Sequence, residues 1–194
     1  MYRLFALIVV GLLLGGCVSG YTLVQADSVA IARGTMKVHP SIAWNKVPRT
    51  AFDVPNEEAW TQNGVLLDSV TFIGALSDGE AIAKQRKKDD RKVPVFRSNM
   101  TPQDLVSMVE SYYRIKGQIT VFETTGVKPV TFLGRPGVEF NFDYVGADDV
   151  KRRGRSFLAI VDGKLYFMAL DGTALHYFDA ALPEFVAIAA SATI

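Results

Sequence analysis

One cysteine and two histidines, Cys17, His39 and His176, bound the side-chain chemistry open to this 194-residue chain. A thiolate is a nucleophile and a metal ligand. A lone thiol, however, closes no intramolecular disulfide and supplies no paired-thiolate zinc site. Cys17 follows Leu14, Gly15 and Gly16; small residues in that position let a peptidase grip the backbone in extended form and leave the thiol free to take a substituent. Histidine is the usual base near neutral pH. His39 precedes Pro40 and His176 precedes Tyr177 and Phe178, so the two are expected in separate structural roles, with no metal site and no cofactor. Asp148 and Asp149 are adjacent, and on a strand adjacent residues point to opposite faces. They are expected in a turn whose charges meet Lys151, Arg152, Arg153 or Arg155. Arg152, Arg153 and Arg155 form a candidate contact patch for anionic lipid or the acidic face of a protein. Nucleophile-elbow, P-loop and dinucleotide glycine patterns are missing. No catalytic residue is therefore expected, and the chain is read as a non-enzyme.

The segment that carries Cys17 decides where the protein acts. Arg3 and the amino terminus give a short positive region, and Leu4 to Gly16 then carry no charge, which suits the apolar core of an export signal. A bilayer span needs about 20 apolar residues. The run Leu14-Gly15-Gly16-Cys17 resembles a bacterial lipobox, with Leu14, Gly15 and Gly16 as the signal peptidase recognition residues and Cys17 as the lipidation site. The resemblance implies diacylglyceryl transfer to Cys17, cleavage after Gly16 and acylation of the new amino terminus. Two alternatives stay open: ordinary cleavage after Ala26, which would release a soluble protein, and an uncleaved anchor running on to Val24. Val18 after the cysteine, in place of an acidic residue, favours the outer membrane over the inner.

Composition fits one globular domain, at 49% hydrophobic and 21% charged residues. Of 21 basic side chains only Arg3 precedes Cys17, so a chain beginning there carries 20 against 20 acidic ones. That balance offers nothing for nucleic acid. The expected organisation is a signal peptide over 1–16, a lipidated amino terminus and tether over 17–34, and a single domain over 35–194.

The elements follow from periodicity and punctuation. "TMKVHPSIAWNKV" reads as a first strand or hairpin broken by Pro40, "VPNEEAWTQNG" as a brief helix or turn, and "VLLDSVTFIGAL" as a strand covered on both faces. Residues 78–99 are a charge run of both signs and read as a solvated loop. From Thr101 the pattern is helical: an N-cap, Pro102 at the first position, Asp104 to complete a capping box, and Leu105, Met108, Val109 and Tyr112 on one face. After Gly117 the period is two, in five strand-like runs. Val138, Phe140, Phe142 and Tyr144 share a face opposite Glu139, Asn141 and Asp143, and Asp162-Gly163 marks a tight hairpin. Phe178, Leu182, Phe185 and Ile188 return to helical spacing, with Pro183 opening or kinking the last helix. The class is α+β, an antiparallel sheet flanked by helices.

The order of elements, with "MTPQDLV", "FLGRPGVEFNFDY", "DGKLYFMAL" and "AASATI", resembles small bacterial envelope lipoproteins of the PsbP-like superfamily, nearest to proteobacterial lipoproteins of uncharacterised role. The resemblance covers about Met36 to Ile194. It implies an α/β/α sandwich that acts by binding other macromolecules, and brings no active-site residues with it. The expected protein is thus lipid-anchored in the cell envelope with a periplasmic domain. Its partners are the membrane, through the lipid on Cys17, and an envelope protein; its task is binding or envelope assembly. A carrier of a small apolar ligand, or a hydrolase, is the alternative.

Overall fold

The computed structural model describes residues 20–51, 53–85, 92–119 and 121–194. The signal segment, Leu14, Gly15, Gly16 and Cys17 lie outside the described residues, as does the middle of the charged run.

Eight strands make one antiparallel sheet. In chain order the strands are β1 (Thr22–Val24), β2 (Val29–Ile31), β3 (Met36–Val38), β4 (Trp44–Lys46), β5 (Glu57–Thr61), β6 (Asp68–Leu76), β7 (Phe122–Phe132), β8 (Arg135–Val145), β9 (Lys151–Val161) and β10 (Lys164–Thr173). Among the described residues two α-helices, α1 (Pro102–Gly117) and α2 (Tyr177–Ser191), accompany the strands. The sheet order is β1-β4-β5-β6-β10-β9-β8-β7, while β2 and β3 form a separate hairpin. Short connections dictate the antiparallel pairing. Asp162 and Gly163 both take positive φ, 49° and 74°, the backbone that a two-residue hairpin turn requires. The edge strand β7 holds Pro129, which an edge tolerates because no partner needs its missing N–H.

The two helices cover opposite faces, as the sandwich reading expects. Under α1, Leu105, Met108, Val109, Tyr112 and Tyr113 pack on Phe140, Phe142, Leu158 and Phe167. Under α2, Phe178, Phe185 and Ile188 join Trp44, Trp60, Phe72 and the β2–β3 hairpin. Burial of each large apolar side chain contributes about 1.5–3 kcal/mol. The aromatic pairs add edge-on contacts such as Trp60 to Phe72 at 4.8 Å between ring centroids. The helix α1 begins as its sequence dictates: Asp104 donates its backbone N–H to Thr101 Oγ1, and the Asp104 carboxylate accepts from Thr101 N at 2.8 Å.

Three expectations are corrected. The tether over 17–34 is too long, because Thr22–Val24 pairs with Trp44–Lys46 and Ile31 is fully buried in the α2 core; the folded unit begins at about residue 22. The "NEEAW" stretch is strand β5, since both carboxylates find partners inside the fold. Two of the five strand-like runs, "QITVFETTG" and "KPVTFL", are carried by one strand, β7, through a bulge between Thr125 and Lys128 where Gly126 takes φ 61°.

Candidate functional site

The sheet has two ends with different character. At one stand the β5–β6 turn, the α1–β7 connection, the β8–β9 turn and the β10–α2 connection; the registers Gly172↔Asp68, Thr173↔Arg152 and Tyr144↔Phe122 bring them level. At the other stand the two tight hairpin turns and the charged segment after Leu76, closed by pairing of Ala81 with Val95.

The first end is held by polar groups that the sheet brings together from distant parts of the chain. Arg152 donates to both oxygens of Asp148, at 2.8 and 2.7 Å, and to the Leu66 carbonyl at 3.1 Å, which ties the β8–β9 turn to the β5–β6 turn. This guanidinium holds the Asp148 carboxyl well below the usual carboxylate range. Behind it, Tyr144 and Tyr113 donate to the two oxygens of Asp171 at 2.6 and 3.2 Å. Burial of the Asp171 carboxyl outweighs these hydrogen bonds and the nearby Arg152 charge, pushing it up to about 6. Burial, reinforced by that carboxylate, pushes both phenols up. The β5–β6 turn is braced too: the Asp68 carboxylate accepts from Thr61 Oγ1 and from Gln62 N, at 2.6 and 2.8 Å.

A cavity of about 380 Å³ opens here between Val121, Tyr144, Lys151 and Arg152. Around it the end is apolar at its tips: Leu66 is 69% exposed, Leu175 fully exposed, and Val65, Val121 and Val150 are exposed as well. A smaller cavity of about 170 Å³ lies at the β5 side of α1. There Lys116 Nζ sits 2.6 Å from Asp53 and 2.7 Å from Glu57, and Tyr112 donates to Glu57 at 2.7 Å. Burial opposes the Asp53 charge, but Lys116 and Thr50 outweigh it and hold that carboxyl below its ordinary value.

The predicted contact patch is not one surface. Arg152 points to the α1 face and is buried at 7% exposure, whereas Arg153 and Arg155, on the alternate positions of β9, point to the α2 face. Arg153 pairs with Asp179 at 3.0 Å, and Arg155 donates to Asn141 at 2.8 Å and lies 3.6 Å from Glu139. These charges are engaged inside the molecule, and Arg152 is a staple. The Asp148–Asp149 turn does meet Arg152, as its sequence predicts.

The histidines are not brought together. His39 N donates to Ser191 Oγ at the end of α2, and His176 stands at the N-cap position of α2 with no side-chain cap bond. A 15-residue helix separates them, about 22 Å at 1.5 Å per residue. His176 is exposed, with its ring edge-on to Tyr177. Among the described residues no group of three or more His, Cys, Asp or Glu is placed to hold a metal ion. No described helix is long and apolar enough to cross a membrane. The space under α1 is filled by Tyr112, Tyr113 and the aromatic rings beneath them. The inward placement of Glu57, Glu58 and half-buried Asp171 is not legible in the sequence, because Tyr112 and Lys116 reach Glu57 from 55 and 59 residues away, Tyr113 and Tyr144 reach Asp171 from 58 and 27 residues away, and Lys46 and Trp60 meet Glu58 on neighbouring backbone. A charged residue inside an apolar strand run is the one sequence signal they leave. Together these groups make a braced surface with an apolar rim.

No family model and no curated protein matches the chain. Among solved structures it is similar to cyanobacterial PsbP (CyanoP) from Synechocystis, with TM-score 0.53 and 14% identity over 93% of this chain and 95% of that one. It also matches LpqN of Mycobacterium tuberculosis, involved in cell envelope biogenesis, with TM-score 0.35 and 10% identity over 92% and 86%. A third match is the Saccharomyces cerevisiae Ran-binding protein Mog1p, with TM-score 0.46 and 10% identity over 91% and 96%. The fold of this chain is thus PsbP-like, an antiparallel sheet with a helix on each face.

Proposed function

We propose that this chain is a bacterial lipoprotein, held to the cell envelope through lipid on Cys17, whose periplasmic domain serves as a binding or assembly module for an envelope protein. The observation that carries the reading is the Leu14-Gly15-Gly16-Cys17 run after an uncharged apolar segment. The position of β1 supports it. Processing before Cys17 leaves every described strand intact, whereas cleavage after Ala26 would strip Thr22–Val24 from the sheet edge and open the core at Val24 and Trp44. Several acyl chains on one residue hold a protein stably, where a single chain holds only marginally. The outer membrane is the proposed location, on Val18.

The binding role rests on a domain whose polar groups are spent on bracing turns and whose exposed features are loops and apolar tips. Labelling with a fatty-acid analogue tests the anchor: Cys17→Ala should lose the label and accumulate as an unprocessed precursor, and label persisting on the variant would sink it. Photocrosslinking in intact cells from Lys84 and Lys92, in the charged segment, tests the module. One reproducible envelope protein in the adducts is the expected result. Recovery of only a small apolar molecule with the purified protein would instead favour the carrier.

A further inference from the structure

The described chain begins at Gly20, three residues after the residue proposed to carry lipid, and this limits how the domain can lie. Four peptide links separate Cys17 from Tyr21, which even when fully extended reach about 14 Å. A domain of this size has a radius of gyration of about 16 Å, so so short a link cannot hold it clear of the bilayer. Whatever surrounds Tyr21 must face the lipid. Two large exposed apolar side chains stand there: Tyr21, just before β1, and Leu23, two residues on, and Tyr21 lines a recess with Asn45, Thr61 and Gly64. Gly64 leads directly into Val65 and Leu66, both exposed. Leu175 lies beyond them, near enough that Thr173 N donates to the Leu67 carbonyl at 2.9 Å. The turn does not expose its leucine through looseness, since Asp68 and Arg152 brace it from both sides.

We propose that this end of the sandwich rests on the membrane, with Tyr21, Leu23, Val65 and Leu66 in the lipid interface and the opposite end, where Ala81 pairs with Val95, turned toward the periplasm. The proposal rests on lipid attachment at Cys17. It goes beyond that attachment by giving the domain a fixed orientation, with one end for lipid and the opposite end for a partner. Apolar side chains in such a position enter about 5–10 Å into the headgroup and acyl boundary.

Tryptophan quenching reads that depth. The full acylated chain, purified from the envelope, is placed in phosphatidylethanolamine and phosphatidylglycerol vesicles with or without dibrominated acyl chains. Leu66→Trp reports the proposed contact and Lys164→Trp, in an exposed position of the opposite end, reports the control. The native Trp44 and Trp60 are fully buried and give an unquenched background. The expected result is a blue-shifted, strongly quenched emission at 66 and no quenching at 164. Acylated, vesicle-bound protein in which position 66 is no more quenched than 164 overturns the orientation and leaves the anchor standing. Protein whose amino-terminal peptide carries no acyl mass and which does not float with vesicles overturns the anchor and the orientation together.

Discussion

Asp171 gives the fold a pH dependence whose size and sign follow from its surroundings. The residue is half-buried, with the carboxyl turned in against Tyr113 and Tyr144, and desolvation there lifts it from 3.8 to about 6. Below the lower value the carboxyl is protonated in both the folded and unfolded chain, and folding costs it nothing. As pH rises from about 4 to 6 the unfolded chain releases the proton while the folded one keeps it, so stability falls; above 6 the loss is complete. At 1.36 kcal/mol per pH unit the full loss is about 3 kcal/mol, and about 2 kcal/mol of it falls between pH 4.5 and 7.5. Asp171→Asn removes the titration while its carbonyl still accepts from Tyr144 and its amide can donate to Tyr113. Guanidinium unfolding of the wild type and the variant, read by the fluorescence of Trp44 and Trp60, isolates this group, because the carboxylates held low elsewhere cancel in the difference. The variant should gain about 2 kcal/mol on the wild type between pH 4.5 and 7.5. A stability difference that stays constant across that range would refute the burial argument.

Three further perturbations test the packing. Thr101→Ala removes the cap of α1 and should cost about 1 kcal/mol in chemical denaturation, with Thr101→Ser close to wild type. Lys116→Met leaves the carboxylates of Asp53 and Glu57 without its charge and should cost about 3 kcal/mol, part of it recovered in thermal melts when Glu57→Gln is added. Gly154→Ala places a methyl 2.0 Å from the Phe142 ring; overpacking of this kind costs about 1–3 kcal/mol, and Phe142→Leu in the same chain should restore part of the melting temperature.

What was legible in the sequence is what is decided locally. The capping box of α1, the alternation of Val138 to Tyr144 and the Asp162-Gly163 turn each depend on residues a few positions apart, and each stands as read. What was misread depends on distant partners. Glu57 and Glu58 look like the acidic first turn of a helix until Lys46, Tyr112 and Lys116 arrive from neighbouring elements. Arg152 looks like part of a surface patch because its acceptor, the Leu66 carbonyl, is 86 residues away. The apolar run "KLYFMAL" stops at Leu170 in the sequence, yet β10 continues to Thr173 and turns the Asp171 carboxylate toward two tyrosines. The apolar end is similar: Leu66 and Leu175 are unremarkable apart, and only the register of β6, β9 and β10 brings their turns to the same end of the sheet.

The most direct test of the account is the mass of the mature amino terminus. Protein taken from the envelope and digested should yield an amino-terminal peptide that begins at Cys17 and carries both a thioether-linked diacylglyceryl group and an amide-linked acyl chain. A peptide beginning at Asp27, or one that retains Met1, would contradict it.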